Sequence, residues 1–198
     1  QQSVMNFGIL MVQGLVNSFG PAIMAAFAAA VKIDSFAYMP VQDFGNAFST
    51  FIAQNYGAKK EDRIRQGMKS AFLCAFVFCL LISLLVCLFA EPLMKIFVSS
   101  EETEIIAAGV HYLHIEGAFY FGIGLLFLLY GLYRAIARPS MSVVLTVISL
   151  GTRVALAYLL SAIPQLGVTG IWMSVPIGWA LADLTGVVYY MHLTRKGK

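Results

Sequence analysis

The sequence predicts an all-α polytopic membrane protein, and three observations carry that prediction. Of its 198 residues, 60% are hydrophobic and only 12% are charged, whereas soluble domains average roughly 25% charge. The apolar residues form long continuous runs without the alternation of a barrel strand, so the spans are helices. Polar residues gather in short turns between the runs, and the basic ones favour alternate turns. A soluble fold of this length cannot hide so much apolar surface.

Six segments follow in order. The first, about 3–19, is uncharged, though Asn6, Gln13 and Asn17 interrupt it, and Gly20-Pro21 ends it with a tight turn. The second, about 22–53, is unusually long and contains Lys32, Asp34, Pro40 and Asp43. A polar stretch from Gln54 to Lys69 reads as the turn to the third segment, about 70–90, whose length matches the ~20 residues that a bilayer requires. Glu91-Pro92 opens a short amphipathic piece, 93–98, suited to an interface. Ser99 and Glu102 have the spacing of a capping box, and Glu101, Glu102 and Glu104 suit the positive end of the fourth segment, about 105–133. After the turn Arg134–Pro139 come a fifth segment, about 141–163, and a sixth, about 168–193.

Sidedness follows from the lysines and arginines. Lys59, Lys60, Arg63, Arg65 and Lys69 follow the second segment, Arg134 and Arg138 the fourth, and Arg195, Lys196 and Lys198 the sixth. The turns after odd-numbered segments hold Lys95 alone, beside four acids. The even-numbered turns and the C-terminus are therefore expected to be cytoplasmic. The first run lacks a basic n-region and a small-residue cleavage site, so no secretory signal is read. The chain opens Gln-Gln without an initiator Met, which suggests that an N-terminal part precedes it.

Charges inside the spans are the functional signal. An ionised side chain near the bilayer centre costs about 2.5–3.5 kcal/mol on insertion scales, so it is paired, wetted or useful. Lys32, Asp34, Glu116, Arg153 and Asp183 fall ~13–20 Å from the outer ends of their segments, on one broad belt. Along the second segment, Lys32, Ser35, Gln42, Asp43, Asn46 and Thr50 share a stripe ~100° wide, expected to face a protein interior or a watery cavity. Asp34 points away from it, at ~200° from Lys32. Tyr112 and Tyr120 flank Glu116 at one helical turn on either side, where their hydroxyls would hold its carboxyl or line a site beside it. The purely structural alternative is a static ion pair of Glu116 or Asp183 with Arg153.

Other features carry less. His111, His114 and Glu116 do not share one helix face and make a poor metal site. Cys74, Cys79 and Cys87 read as small hydrophobes, and Trp172 and Trp179 as interfacial or packing residues. Ala118 and Gly122 offer a small-residue face for helix packing. No phosphate-binding glycine loop, nucleophile elbow or cysteine pair with ligand spacing marks an enzyme or calls for a cofactor, and no nucleic-acid partner is implied.

Ile33-Asp34-Ser35-Phe36-Ala37-Tyr38-Met39-Pro40 followed by Ala53-Gln54-Asn55-Tyr56-Gly57-Ala58 resembles the first helix pair of the C-terminal lobe of multidrug and toxic compound extrusion (MATE) transporters. Tyr133-Arg134-Ala135-Ile136-Ala137-Arg138-Pro139, Gly170-Ile171-Trp172 and Pro176-Ile177-Gly178-Trp179 agree with later helices of that lobe. The resemblance covers essentially the whole chain, and implies helices seven to twelve of a twelve-helix antiporter whose N-terminal lobe is absent here. It implies export of cationic, amphipathic compounds in exchange for H+ or Na+, at a cell membrane. Some members use carboxylates on helices seven and ten. Here the first segment has Gln1, Gln2 and Gln13 but no carboxylate, and the fourth has Glu116.

On this reading Glu116 is the coupling or charge-recognition residue, with Tyr120 beside it, and Gln42, Asp43 and Asn46 line the central cavity. Lys32 and Arg153 would keep nearby carboxylates of the belt ionised or compete with cations for them, and Asp34 and Asp183 belong to the same candidate site. Two alternatives are a lipid-linked saccharide flippase of the same wider superfamily, which a basic cavity would favour, and a non-transporting membrane scaffold.

Overall fold

The computed structural model describes residues 2–196, with side chains from 7 to 195. Gln1 and Lys198, and the side chains of Gln2 and Lys196, lie outside the described residues. All described secondary structure is helical: α1 (Gln2–Asn17), α2 (Pro21–Gly57), α3 (Glu61–Leu88), α4 (Ala90–Phe97), α5 (Thr103–Gly117), α6 (Tyr120–Ala135), α7 (Pro139–Ser161) and α8 (Val168–Lys196). Of these, α2, α3, α7 and α8 are long and apolar enough to cross a bilayer, and α5 with α6 make one further span bent by 52°. At 16 residues α1 is shorter than the ~20 expected of a sixth. The chain is an all-α polytopic membrane protein.

Three boundaries differ from expectation for identifiable reasons. The Gln54–Lys69 stretch is mostly helix, because α2 continues to Gly57 and α3 starts at Glu61. Glu61 and Asp62 in the first turn complement the positive helix end, and only Ala58–Lys60 turns, with Lys59 in the left-handed region at φ 54°. Ser99 and Glu102 form no capping box: Glu102 stands at the N-cap position without a side-chain cap bond, and only its backbone N–H reaches Ser99 O, at 3.0 Å. The fourth segment is not continuous. It breaks at Ala118 and Phe119, and Ala118 lies exposed in the break, not on a packing face.

The core is organised around α2, which packs on α6, α5 and α3 and touches α1 and α4. Its buried face follows helical spacing through Ala26, Ala30, Ile33, Ala37, Val41, Phe48 and Ile52. A second cluster lies where α6 meets the α7–α8 hairpin, around Tyr133, Leu145, Val175 and Trp179. Outward, α3 exposes Leu73, Leu81, Leu84 and Leu88 at 58–68%, an apolar face that suits lipid and would be a liability in water. The amphipathic α4 buries Ala90 and Met94 and carries the one ion pair among the described residues, Lys95 to Glu91 at 2.6 Å.

Backbone contact between α2 and α6 explains two glycines. A Cβ on Gly131 would come to 2.6 Å from Gly45 O, and one on Gly45 to 3.1 Å from Phe127 O. Small residues at such a crossing let helices approach closely in a bilayer, where lipid removes the usual hydrophobic drive. Ser49 adds a hydrogen bond across the same seam, donating to Gly131 O at 2.9 Å. Gly131→Ala is expected to cost ~1–3 kcal/mol by forcing the helices apart. Gly151→Ala, where nothing lies within 4 Å, should be neutral or better. Thermal unfolding in detergent distinguishes them, and equal shifts would show that the crossing is not tightly packed.

Candidate functional site

The site is built at the break between α5 and α6. Glu116 occupies the last turn of α5, Tyr120 opens α6, and Tyr112 lies one turn before Glu116. Opposite them α2 presents Asp34 on its buried face, at 3% exposure. Tyr112 donates to Asp34 Oδ2 at 2.6 Å, and Tyr120 donates to Asp34 Oδ1. Both tyrosines therefore donate to Asp34, although the one-turn spacing points to Glu116 as their partner. The bend turns α6 relative to α5, so residues on one stripe of a straight helix reach instead across to α2.

Glu116, also 3% exposed, lies within hydrogen-bonding reach of both Asp34 and Tyr112, while its Oε1 has no partner. The charge of Arg153, from α7, acts on both carboxyls. No ion pair closes, however, since no carboxylate lies within 4 Å of the guanidinium among the described residues, and the buried Nε is unpartnered. The static pair of Arg153 with Glu116 or Asp183 is thus not formed. Trp172 packs beside the cluster, stacked on Phe27 at 5.6 Å and edge-on to Tyr112 at 4.9 Å. It serves packing, not the interface, as does the buried Trp179.

The remaining predicted residues fall elsewhere. Lys32, Gln42, Asp43 and Asn46 are exposed, so the polar stripe of α2 lies on the open face of the bundle and does not face its interior. The face holding Ala26, Ile33 and Val41 is the more apolar one, and burying it carries Asp34 inside and turns the stripe out. Lys32 Nζ stands 5.7 Å from the Phe97 ring centre, and Arg134 donates to Asn46 Oδ1 at 2.9 Å. Asp183 is buried on α8, apart from the others: Gly122 and Trp179 lie beside it, and its Oδ1 has no partner. The histidines do not converge, and no group of metal-ligand type occurs among the described residues. His111 meets Thr169 Oγ1 at 2.9 Å and His114 meets Cys87 O at 3.0 Å.

The one-turn spacing of Tyr112, Glu116 and Tyr120 gave no sign that both tyrosines donate to Asp34 on α2. The first segment carries no carboxylate, and the acid buried beside Glu116 comes from α2. The available signal was that Asp34 falls at the helical spacing of Ala30, Ala37 and Val41.

A membrane bundle with one broken span and an acid–tyrosine–arginine cluster at the break is a construction characteristic of transporters, whose sites form at discontinuous helices near the midplane. The chain belongs to the MatE family, whose profile matches residues 1–159. It is 28% identical over 193 residues to the probable multidrug resistance protein YpnP of Bacillus subtilis, covering 97% of this chain and 42% of that protein. It is 27% identical over 190 residues to the probable multidrug resistance protein YoeA of the same organism, covering 93% and 40%. The fold matches that of a MOP superfamily transporter from Pyrococcus furiosus with a TM-score of 0.92 at 21% identity, over 100% of this chain and 44% of that one. The chain thus spans about two fifths of the length of the curated relatives it matches, and its family is one of transporters, not enzymes.

Hydrogen bonds to a charged group contribute about 1.5–3 kcal/mol each. Tyr120→Phe is therefore expected to lower the unfolding free energy by ~1–3 kcal/mol, while Asp43→Asn on the open face stays within ~0.5 kcal/mol. Thermal or denaturant unfolding in micelles measures both. Matching losses would mean that Asp34 does not tie α2 to α6.

Proposed function

We propose that this chain is the C-terminal six-helix lobe of a secondary antiporter that exports cationic, amphipathic compounds in exchange for H+ or Na+. The carrying observation is the buried meeting of Asp34 and Glu116 beside a single unpaired arginine. Two carboxyls against one guanidinium leave the pocket one positive charge short of neutral when both acids are ionised, and a proton or a sodium ion supplies that charge. Glu116 also lies in the last turn of α5, where the helix carbonyls favour a cation. Tyr112 and Tyr120 orient Asp34, Trp172 and Phe27 limit water, and the carboxyl oxygens with the tyrosine hydroxyls form a hard-oxygen donor set.

In this mechanism the open face of α2 lines the central cavity against an N-terminal lobe, with Gln42, Asp43 and Asn46 contacting substrate and Lys32 at its outer end. Binding of the coupling cation neutralises the acid pair and relieves the repulsion between Asp34 on α2 and Glu116 on α5, which changes how α5–α6 packs on α2 and biases the two lobes towards the other orientation. Asp183, lacking a partner in this cluster, stands outside the coupling step. The protein resides in the cell membrane with its basic turns and C-terminus in the cytoplasm. The excess of acid over base in the pocket favours cations over the phosphate-bearing cargo of a lipid-linked saccharide flippase.

The decisive experiment is ion-driven efflux of a fluorescent organic cation by the full-length protein. Glu116→Gln and Asp34→Asn are each expected to reduce coupled efflux at least about tenfold, a loss of ~1.4 kcal/mol or more in coupling, with Asp183→Asn close to wild type. Normal coupling in a well-expressed Glu116→Gln protein would remove the acid pair from the mechanism.

A further inference from the structure

The basic turns converge on something more specific than a sidedness signal. Where α3 begins, α6 turns into α7 and α8 ends, two adjoining clefts of about 440 and 450 Å3 share Arg65, Tyr190 and Thr194. Arg138 lines the first cleft, and Lys69 and Arg195 line the second. Four cations from three separate parts of the fold thus face one space, against a single lining carboxylate, Glu61. None of the four has an ion-pair partner within 4 Å among the described residues. Arg138 donates to Tyr189 at 2.9 Å, Tyr190 donates to Met68 Sδ at 3.2 Å, and the charge of Arg65 acts on the Tyr190 hydroxyl. The aromatic ring and the guanidinium groups are therefore placed together rather than scattered.

We propose that this cleft is a binding site for the phosphate of an anionic phospholipid headgroup. Four unpaired cations select a phosphate-type anion, with arginine suited to gripping two of its oxygens. The wall decides between a lipid and a soluble phosphate ester: beside the basic residues the first cleft is lined by Ile64, Leu132, Ile136 and Leu193, apolar side chains that match a glycerol backbone and the first acyl carbons. The tyrosines stand where aromatic side chains favour the membrane–water boundary. Basic pockets between membrane helices at that depth are suited to lipid headgroups. A lipid seated here would strap the start of α3 to the end of α8 and to the α6–α7 turn, three pieces with no direct ion pair among them. The site is independent of the acid pair at the α5–α6 break.

Native mass spectrometry of the full-length protein, loaded with phosphatidylglycerol or phosphatidylcholine of matched chains, tests this. Wild type should retain one phosphatidylglycerol in preference to phosphatidylcholine. Removing two of the cations in Arg65→Gln/Arg138→Gln should weaken that retention about 30-fold, at roughly fivefold per basic residue. Arg65→Lys/Arg138→Lys should recover much of it, which separates loss of charge from misfolding. Lys59→Gln/Arg63→Gln, an equal charge loss outside the cleft, should leave the preference in place. Equal retention of the two lipids, or equal losses in the cleft and control variants, would overturn the site. Displacement by millimolar glycerol 3-phosphate would assign the cleft to soluble phosphate esters and overturn the lipid source.

Discussion

The structure depends on keeping one carboxyl, Asp34, inside a membrane bundle. It sits on the buried face of the central helix, where an ionised group would cost about 2.5–3.5 kcal/mol if left alone. Two tyrosine hydroxyls meet its two oxygens, and such bonds contribute about 1.5–3 kcal/mol each. The two terms are of the same size, so Asp34 is tolerated because α5 and α6 each bring a donor. The consequence runs both ways: the bonds solvate the acid, and the acid pins both halves of the broken span to α2.

The break gives that arrangement its chemistry. A straight helix would carry Tyr112, Glu116 and Tyr120 on one stripe and point all three the same way. With a 52° bend between α5 and α6, the tyrosines converge on Asp34 from two directions and Glu116 is left with one oxygen unpartnered. An acid held beside another acid, near an arginine that does not close onto either, is a charge arrangement one cation away from balance. The open face of α2 is chemically different: Gln42, Asp43 and Asn46 are exposed, and Asn46 accepts a hydrogen bond from Arg134. The polar residues of a single helix thus divide between an interior that stores charge and a surface that meets it.

Much of this was legible beforehand. Continuous apolar runs marked the membrane character and the order of the helices, because a bilayer demands length and hydrophobicity of every span, but four helices and one bent pair meet that demand where six segments were expected. Charged residues inside those runs stood out for the same reason. Of the two surroundings open to the polar stripe of α2, the bundle interior is excluded, because packing buries the alanine-rich face that carries Asp34 and leaves the stripe exposed. Likewise the basic Gln54–Lys69 stretch looked like a loop, since charge density identifies the membrane boundary but not the end of a helix.

By itself the sequence determined the membrane character, the helical class, the segment order and the presence of acids where acids are expensive, all of which follow from local composition and length. Only the tertiary structure decided which acid meets which partner. That required the bend at Ala118–Phe119, the glycine crossing of α2 on α6, and the approach of α7, and each is set by contacts between residues far apart in the chain. For the same reason the four cations of Arg65, Lys69, Arg138 and Arg195 read as separate basic turns in the sequence, and become one cleft only when three helix ends are brought together.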